Sequence, residues 1–153
     1  MSELFDLSGR VAVVTGASRG LGQYFGRALA KTGADLVITA RKKEDLAEFQ
    51  AEIESLGRKA FAVELDVHCQ DSIKSMVASA IDHYGKIDIL VNNAGTNRRK
   101  PAIDVTEDDY KMLMAINLES VFWLCQAAYS HLCKSECGTV VNTGSMTTLT
   151  GLG

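Results

Sequence analysis

The chain has 153 residues, enough for one domain with a real core, and its 46% apolar and 23% charged content is that of an ordinary globular protein. A formal net charge of -3 gives no ground for expecting nucleic-acid or membrane partners, and no apolar run is long enough to span a bilayer as a helix. The N-terminus lacks the basic start and long apolar stretch of a secretory signal, so the expected location is the cytoplasm, with Cys69, Cys125, Cys133 and Cys137 as reduced thiols. Cys133 and Cys137 lie four apart, but no second Cys or His pair follows at zinc spacing, and no metal is expected.

The first apolar run covers residues 11–15 and leads into Thr15-Gly16-Ala17-Ser18-Arg19-Gly20-Leu21-Gly22. A strand, a glycine turn and a helix in that order form the context of a dinucleotide site. Glycines let the backbone turn tightly and approach a pyrophosphate, and the helix N-terminus offers N–H groups to it. Gly16, Gly20 and Gly22 are therefore expected in the phosphate turn, with Ser18, Arg19 and Leu21 beside them. Leu21, Phe25, Ala28 and Leu29 make the apolar stripe of the first helix.

Residues 36–40 read as a second strand. It ends in Arg41-Lys42-Lys43, where folds that bind NAD place an acid on the adenosine ribose. A guanidinium suits a 2′-phosphate and has no use for a neutral hydroxyl, so Arg41, helped by Arg19, points to NADP(H) over NAD(H). The plainer alternative is a solvated basic turn.

A second helix carries Leu46, Phe49, Ile53 and Leu56 and closes at Gly57; a third strand covers 60–65. Asp66 and Val67 follow it. A third helix, with Ile73, Val77, Ala80, Ile81 and Tyr84, closes at Gly85, and a fourth strand covers 87–91. Asn92-Asn93-Ala94-Gly95 comes next. Thr106-Glu107-Asp108-Asp109 reads as the N-cap and acidic first turn of a long fourth helix. That helix is expected to place Tyr110, Leu113, Asn117, Val121, Leu124 and Ala128 on one buried face. A fifth strand covers 139–142, with Ser145 just beyond. Strands alternating with helices, each strand apolar on both faces, predict a doubly wound parallel α/β sheet. This is a Rossmann fold with strand order 3-2-1-4-5, expected to span residues 1–153 as one dinucleotide-binding domain truncated after the fifth strand.

Taken together, the glycine turn, Asp66-Val67, Asn92-Asn93-Ala94-Gly95, Asn117 and Ser145 resemble the short-chain dehydrogenase/reductase family over essentially residues 7–145. The resemblance implies that Asp66 bonds the adenine amino group with Val67 beside the ring; the alternative is an acid capping the next helix. It implies that Asn93, Ala94 and Gly95 brace the sheet against the adenosine half. Asn117 would hold a water in a proton relay, or else merely bond a neighbouring backbone. Ser145 would orient a substrate carbonyl, or else be a polar turn residue. The implied reaction interconverts a secondary alcohol and a ketone on a small molecule.

The family's Tyr-x-x-x-Lys pair belongs on the next helix. None of Tyr24, Tyr84, Tyr110 and Tyr129 has a lysine four residues on. This chain alone is therefore expected to be inactive, the N-terminal part of a longer enzyme, or alternatively a non-catalytic nucleotide-binding module. Thr96-Asn97-Arg98-Arg99-Lys100-Pro101 is similar to the gluconate 5-dehydrogenase and 2-deoxygluconate 3-dehydrogenase branch. Its three cations could meet a substrate carboxylate, as in a sugar acid, or form a solvated loop. A 3-oxoacyl thioester is the second substrate class. A homodimer or homotetramer is expected, with Phe122 and Trp123 exposed on the outer side of the fourth helix.

Overall fold

The computed structural model describes residues 5–145. Five parallel strands form one sheet in the order β3-β2-β1-β4-β5. They are β1 (Val11–Val14), β2 (Asp35–Ala40), β3 (Ala60–Glu64), β4 (Ile89–Asn92) and β5 (Thr139–Asn142). The helices are α1 (Leu21–Lys31), α2 (Ala47–Ser55), α3 (Gln70–Tyr84), α4 (Glu107–Met114) and α5 (Ser120–Leu132). The expected architecture and strand order are those observed.

Side chains alternate across the sheet and bury both of its faces. Ala12, Val14, Leu36 and Ile38 pack on one side with Phe49 and Ile53 of α2 and Ala30 of α1. Val11, Val13, Val37 and Leu90 pack on the other with Ile73, Met76, Val77 and Ala80 of α3 and Leu124, Ala128 and Leu132 of α5. Burial on both faces explains why β1, β2 and β4 read as continuous apolar runs. β5 differs. It pairs with β4 in register, Asn92 opposite Asn142, yet all four of its residues are exposed. It is the edge strand of the described residues, and the expectation of two-sided burial fails there.

The long fourth helix is not one regular helix. α4 and α5 are joined by a π-turn over Ala115–Glu119. The wider turn adds a residue and rotates α5 relative to α4, so a single stripe cannot run through both. Ser120, Leu124, Ala128 and Leu132 face the core, while Tyr110 is 59% exposed and Asn117 is also exposed. The expected buried face therefore holds at Leu124 and Ala128, is only half-buried at Leu113 and Val121, and fails at Tyr110 and Asn117. Trp123 is likewise corrected: it is half-buried against the α3–α5 layer, and only its edge-to-face neighbour Phe122 is exposed.

The start of α4 is as expected. Thr106 Oγ1 accepts from the Asp109 amide at 3.2 Å, and the Asp109 carboxylate accepts from the Thr106 amide at 3.2 Å, which closes a reciprocal capping box.

Candidate functional site

In a sheet of this order the chain leaves β1 in one direction and returns to β4 in the other, and the divergence opens a crevice at the carboxyl ends of the two strands. A cleft of about 840 Å³ lies there. Its lining includes Gly16, Ser18, Arg19, Gly20, Leu21, Arg41, Asp66, Val67, Asn93, Ala94 and Gly95. Eleven of the twelve residues expected to hold a cofactor thus meet in one place. Gly22, the twelfth, sits behind the turn.

Thr15 organises the crevice. Its side chain is fully buried, and its hydroxyl donates to the Val91 carbonyl at 3.2 Å. The same oxygen accepts from the Asn93 and Ala94 amides, each at 3.0 Å. Asn93 Nδ2 returns the contact, donating to the Thr15 and Gly16 carbonyls at 2.9 and 3.1 Å. This knot ties the end of β1 to the end of β4 and leaves the buried polar atoms of Thr15 satisfied. In the sequence Thr15 is a turn residue with no evident role of its own. A hydroxyl closing an otherwise apolar strand was the available signal.

Two glycines are required by close approach. A Cβ on Gly16, whose φ is 67°, would sit 2.9 Å from the Ala94 Cα. A Cβ on Gly22 would sit 2.2 Å from the Gly16 carbonyl oxygen and 2.9 Å from Asn93 Nδ2. The turn is further fixed by the Ala17 amide donating to the Thr39 carbonyl at 2.8 Å and Gln23 Nε2 donating to the Ser18 carbonyl at 3.0 Å. No side chain caps α1. The Gln23 and Tyr24 amides donate to the Gly20 carbonyl at 3.1 and 3.3 Å, so the N–H groups that the helix start can offer an anion are those ahead of them.

Arg19 and Arg41 are exposed on the lining of the cleft, one after each of the first two strands. Asp66 is exposed on the same lining and does not cap the next helix. Its Oδ1 accepts from the His68 amide at 3.0 Å in a local turn, and α3 begins at Gln70 after Cys69.

Asn117 takes its place through the π-turn. Its Oδ1 accepts from the Thr96 amide and its Nδ2 donates to the Thr96 carbonyl, both at 2.9 Å. The amide thereby pins the loop leaving β4 to the α4–α5 junction, beside the cleft-lining Thr96, Met112 and Ile116. Ser145 lies three residues beyond β5, at the same carboxyl edge of the sheet, and is exposed.

The basic loop is partly committed. Lys100 Nζ lies 2.5 Å and Arg98 Nη1 3.4 Å from the carboxylate of Asp109, which is 5% exposed. The Lys100 hydrogen bond, with those from Thr106, holds the Asp109 carboxyl down at about 2. Arg98 also lines the cleft. The same loop thus neutralises the capping box and presents one guanidinium to the site. Thr39, Ala40, Leu65, His68, Met112 and Ile116 complete the lining and were not anticipated. They are strand-end and loop neighbours whose facing depends on the packed fold.

A cradle that a single Cβ would fill, a helix start without a side-chain cap, and a cleft within the roughly 300–1,000 Å³ of ligand sites fit a dinucleotide. Among the described residues, no group of three or more His, Cys, Asp or Glu is placed to hold a metal ion. No described helix is long and apolar enough to cross a membrane.

The family described as "short chain dehydrogenase" matches residues 10–153. Gluconate 5-dehydrogenase of Gluconobacter oxydans (strain 621H) is 41% identical over 140 residues, 92% of this chain and 55% of that protein. 2-Dehydro-3-deoxy-D-gluconate 5-dehydrogenase of Escherichia coli (strain K12) is 38% identical over 149 residues, 96% of this chain and 58% of that protein. The chain therefore spans little more than half the length of these relatives. A crystal structure of a short chain dehydrogenase from Burkholderia cenocepacia J2315 in complex with NADP superposes with a TM-score of 0.90 at 38% identity. That match covers 96% of this chain and 60% of the other. A short-chain type dehydrogenase/reductase from Mycobacterium marinum gives a TM-score of 0.94 at 33% identity, covering 99% and 63%.

Proposed function

The chain belongs to the short-chain dehydrogenase family, and from that premise we propose that its cleft binds NADP(H) in an enzyme that interconverts a secondary alcohol and a ketone. One observation carries the cofactor choice. Arg19 and Arg41 both line the cleft, each just after one of the first two strands, and no acid stands at the end of β2. A 2′-phosphate accepts charge-assisted hydrogen bonds from a guanidinium, whereas a ribose hydroxyl gains little from one. The NADP complex of the Burkholderia relative supports the same reading.

When bound, the nicotinamide would supply or accept the hydride. The chain's own residues do the rest of this half of the work. Gly16 and Gly20 leave room for the pyrophosphate, Asp66 and Val67 border the adenine, and Ala94 and Gly95 form the floor. Ser145 is proposed to orient the reacting carbonyl by a hydrogen bond. Asn117 is proposed to act beside the reacting atoms: Thr96 uses one of its two N–H groups, and a second remains for a water. The substrate is proposed to be a sugar acid of the gluconate type, its carboxylate meeting Arg98. The names of the Gluconobacter and Escherichia relatives support that class. The enzyme is proposed to assemble from copies of itself, with Phe122 and Tyr129, two turns apart on α5 and exposed, as contacts.

Arg41→Asp tests the cofactor reading. The variant is expected to lose at least about tenfold in NADPH affinity, the worth of one charge-assisted bond, while NADH affinity holds or rises. An unchanged NADPH-to-NADH ratio would place Arg41 outside the adenosine site.

A further inference from the structure

The turn from α5 to β5 holds a pair of thiols that the cofactor cleft does not use. Cys133 and Cys137 are both exposed, and neither is in a disulfide. Between them the chain doubles back. The Cys133 amide donates to the Tyr129 carbonyl at 2.9 Å, and the Lys134 and Ser135 amides donate to His131 and Leu132, each at 3.1 Å. Gly138 then returns so closely that a Cβ on it would sit 2.2 Å from the Leu132 carbonyl oxygen. Leu132 and Gly138 are thus the neck of a closed five-residue loop, and the two cysteines are its first and last residues.

The loop is also anchored. Ser135 at its centre donates to the Asp88 carboxylate at 2.6 Å, and the Cys137 amide donates to Ser135 Oγ at 3.4 Å. Asp88 is 2% exposed and also accepts from the Val11 amide at 2.8 Å, so the loop hangs on the sheet itself. An anchored loop holds its two ends together without spending chain entropy at the moment of reaction.

We propose that Cys133 and Cys137 are a modification site that closes to a reversible intramolecular disulfide under a hydroperoxide. One thiolate attacks the peroxide oxygen, giving a sulfenic acid and water (or an alcohol from an organic peroxide). The second thiol displaces that hydroxyl as a second water and forms the S–S bond. Both sulfurs are oxidised, and the two peroxide oxygens are reduced. A dithiol reductant reverses the step by exchange.

Trypsin provides the test, because Lys134 lies between the two cysteines. Cleavage places Cys133 on the 112–134 peptide and Cys137 on the peptide that starts at Ser135. After treatment with hydrogen peroxide and thiol capping, the two peptides are expected to remain linked and lighter by two hydrogens. Fragmentation should assign the bond to Cys133 rather than Cys125, which shares the first peptide. Cys137→Ser should abolish the link. As a second measure, the reduced chain should bind one phenylarsine oxide, and Cys133→Ser or Cys137→Ser should each remove that binding. Unlinked peptides with separately oxidised thiols, or a link that forms only between chains, would overturn the proposal. None of these readouts depends on cofactor or activity.

Discussion

The two ends of the cleft are built in different materials. At the β1–α1 turn the walls are backbone: Gly16 against Ala94, Gly22 against the Gly16 carbonyl, and a fully buried Thr15 hydroxyl joining two strands. At the mouth, the loop after β4 is held by side chains: the Asn117 amide on Thr96, and Lys100 and Arg98 on Asp109. A backbone wall accepts almost no change of residue. A side-chain wall can be rebuilt by a few substitutions. Under the proposed function, the first would face the cofactor and the second the substrate.

Breaking the backbone end should have the largest effect. Gly22→Ala puts a methyl 2.2 Å from a carbonyl oxygen that is itself held by Asn93. Overpacking against backbone costs about 1–3 kcal/mol or more, and the displaced turn should lose most cofactor binding. Thermal unfolding and nucleotide titration would both register it; a variant with wild-type Tm and affinity would show that the turn is soft.

Thr15→Val should rank next. It keeps the volume but strands the Asn93 and Ala94 amides, each bonded to the hydroxyl at 3.0 Å. Each orphaned buried group costs about 1–3 kcal/mol. Chemical denaturation should place Thr15→Ser close to wild type and Thr15→Val well below it. Equal losses for the two would remove the hydroxyl from the account.

The mouth should yield a smaller, pH-dependent effect. The Asp109 carboxyl is held down at about 2, chiefly by Lys100, against an ordinary value near 3.9. A carboxyl with a lowered folded pKa stabilises fully above its unfolded pKa and loses that contribution as pH falls through the folded one. The stability gap between wild type and Asp109→Asn should therefore be full above about pH 4 and close as pH approaches 2. A gap that stays constant over that window would separate Asp109 from the ion pairs.

What could be read from the residues divides along the same line. β1, β2 and β4 were legible because burial on both faces leaves an unbroken apolar run. The glycine turn was legible because close approach admits no other residue at Gly22. The exposure of β5 was hidden, since its Val140 and Val141 carry the same pattern as a buried strand. The π-turn at Ala115–Glu119 was hidden because one added residue leaves the apolar spacing readable while rotating α5 about its axis. The partner of the basic loop was also hidden: Asp109 reads equally well as a simple first-turn acid, and only the packed loop brings Lys100 and Arg98 to it.

The cofactor choice proposed above rests on Arg19 and Arg41, which line the cleft beside its backbone-walled end. The most direct measurement is the dissociation constant of the unmodified chain for NADPH and for NADH, followed by nicotinamide fluorescence at moderate salt. The account predicts NADPH tighter by at least about tenfold, the worth of one guanidinium–phosphate bond. Equal affinities, or tighter NADH, would contradict it.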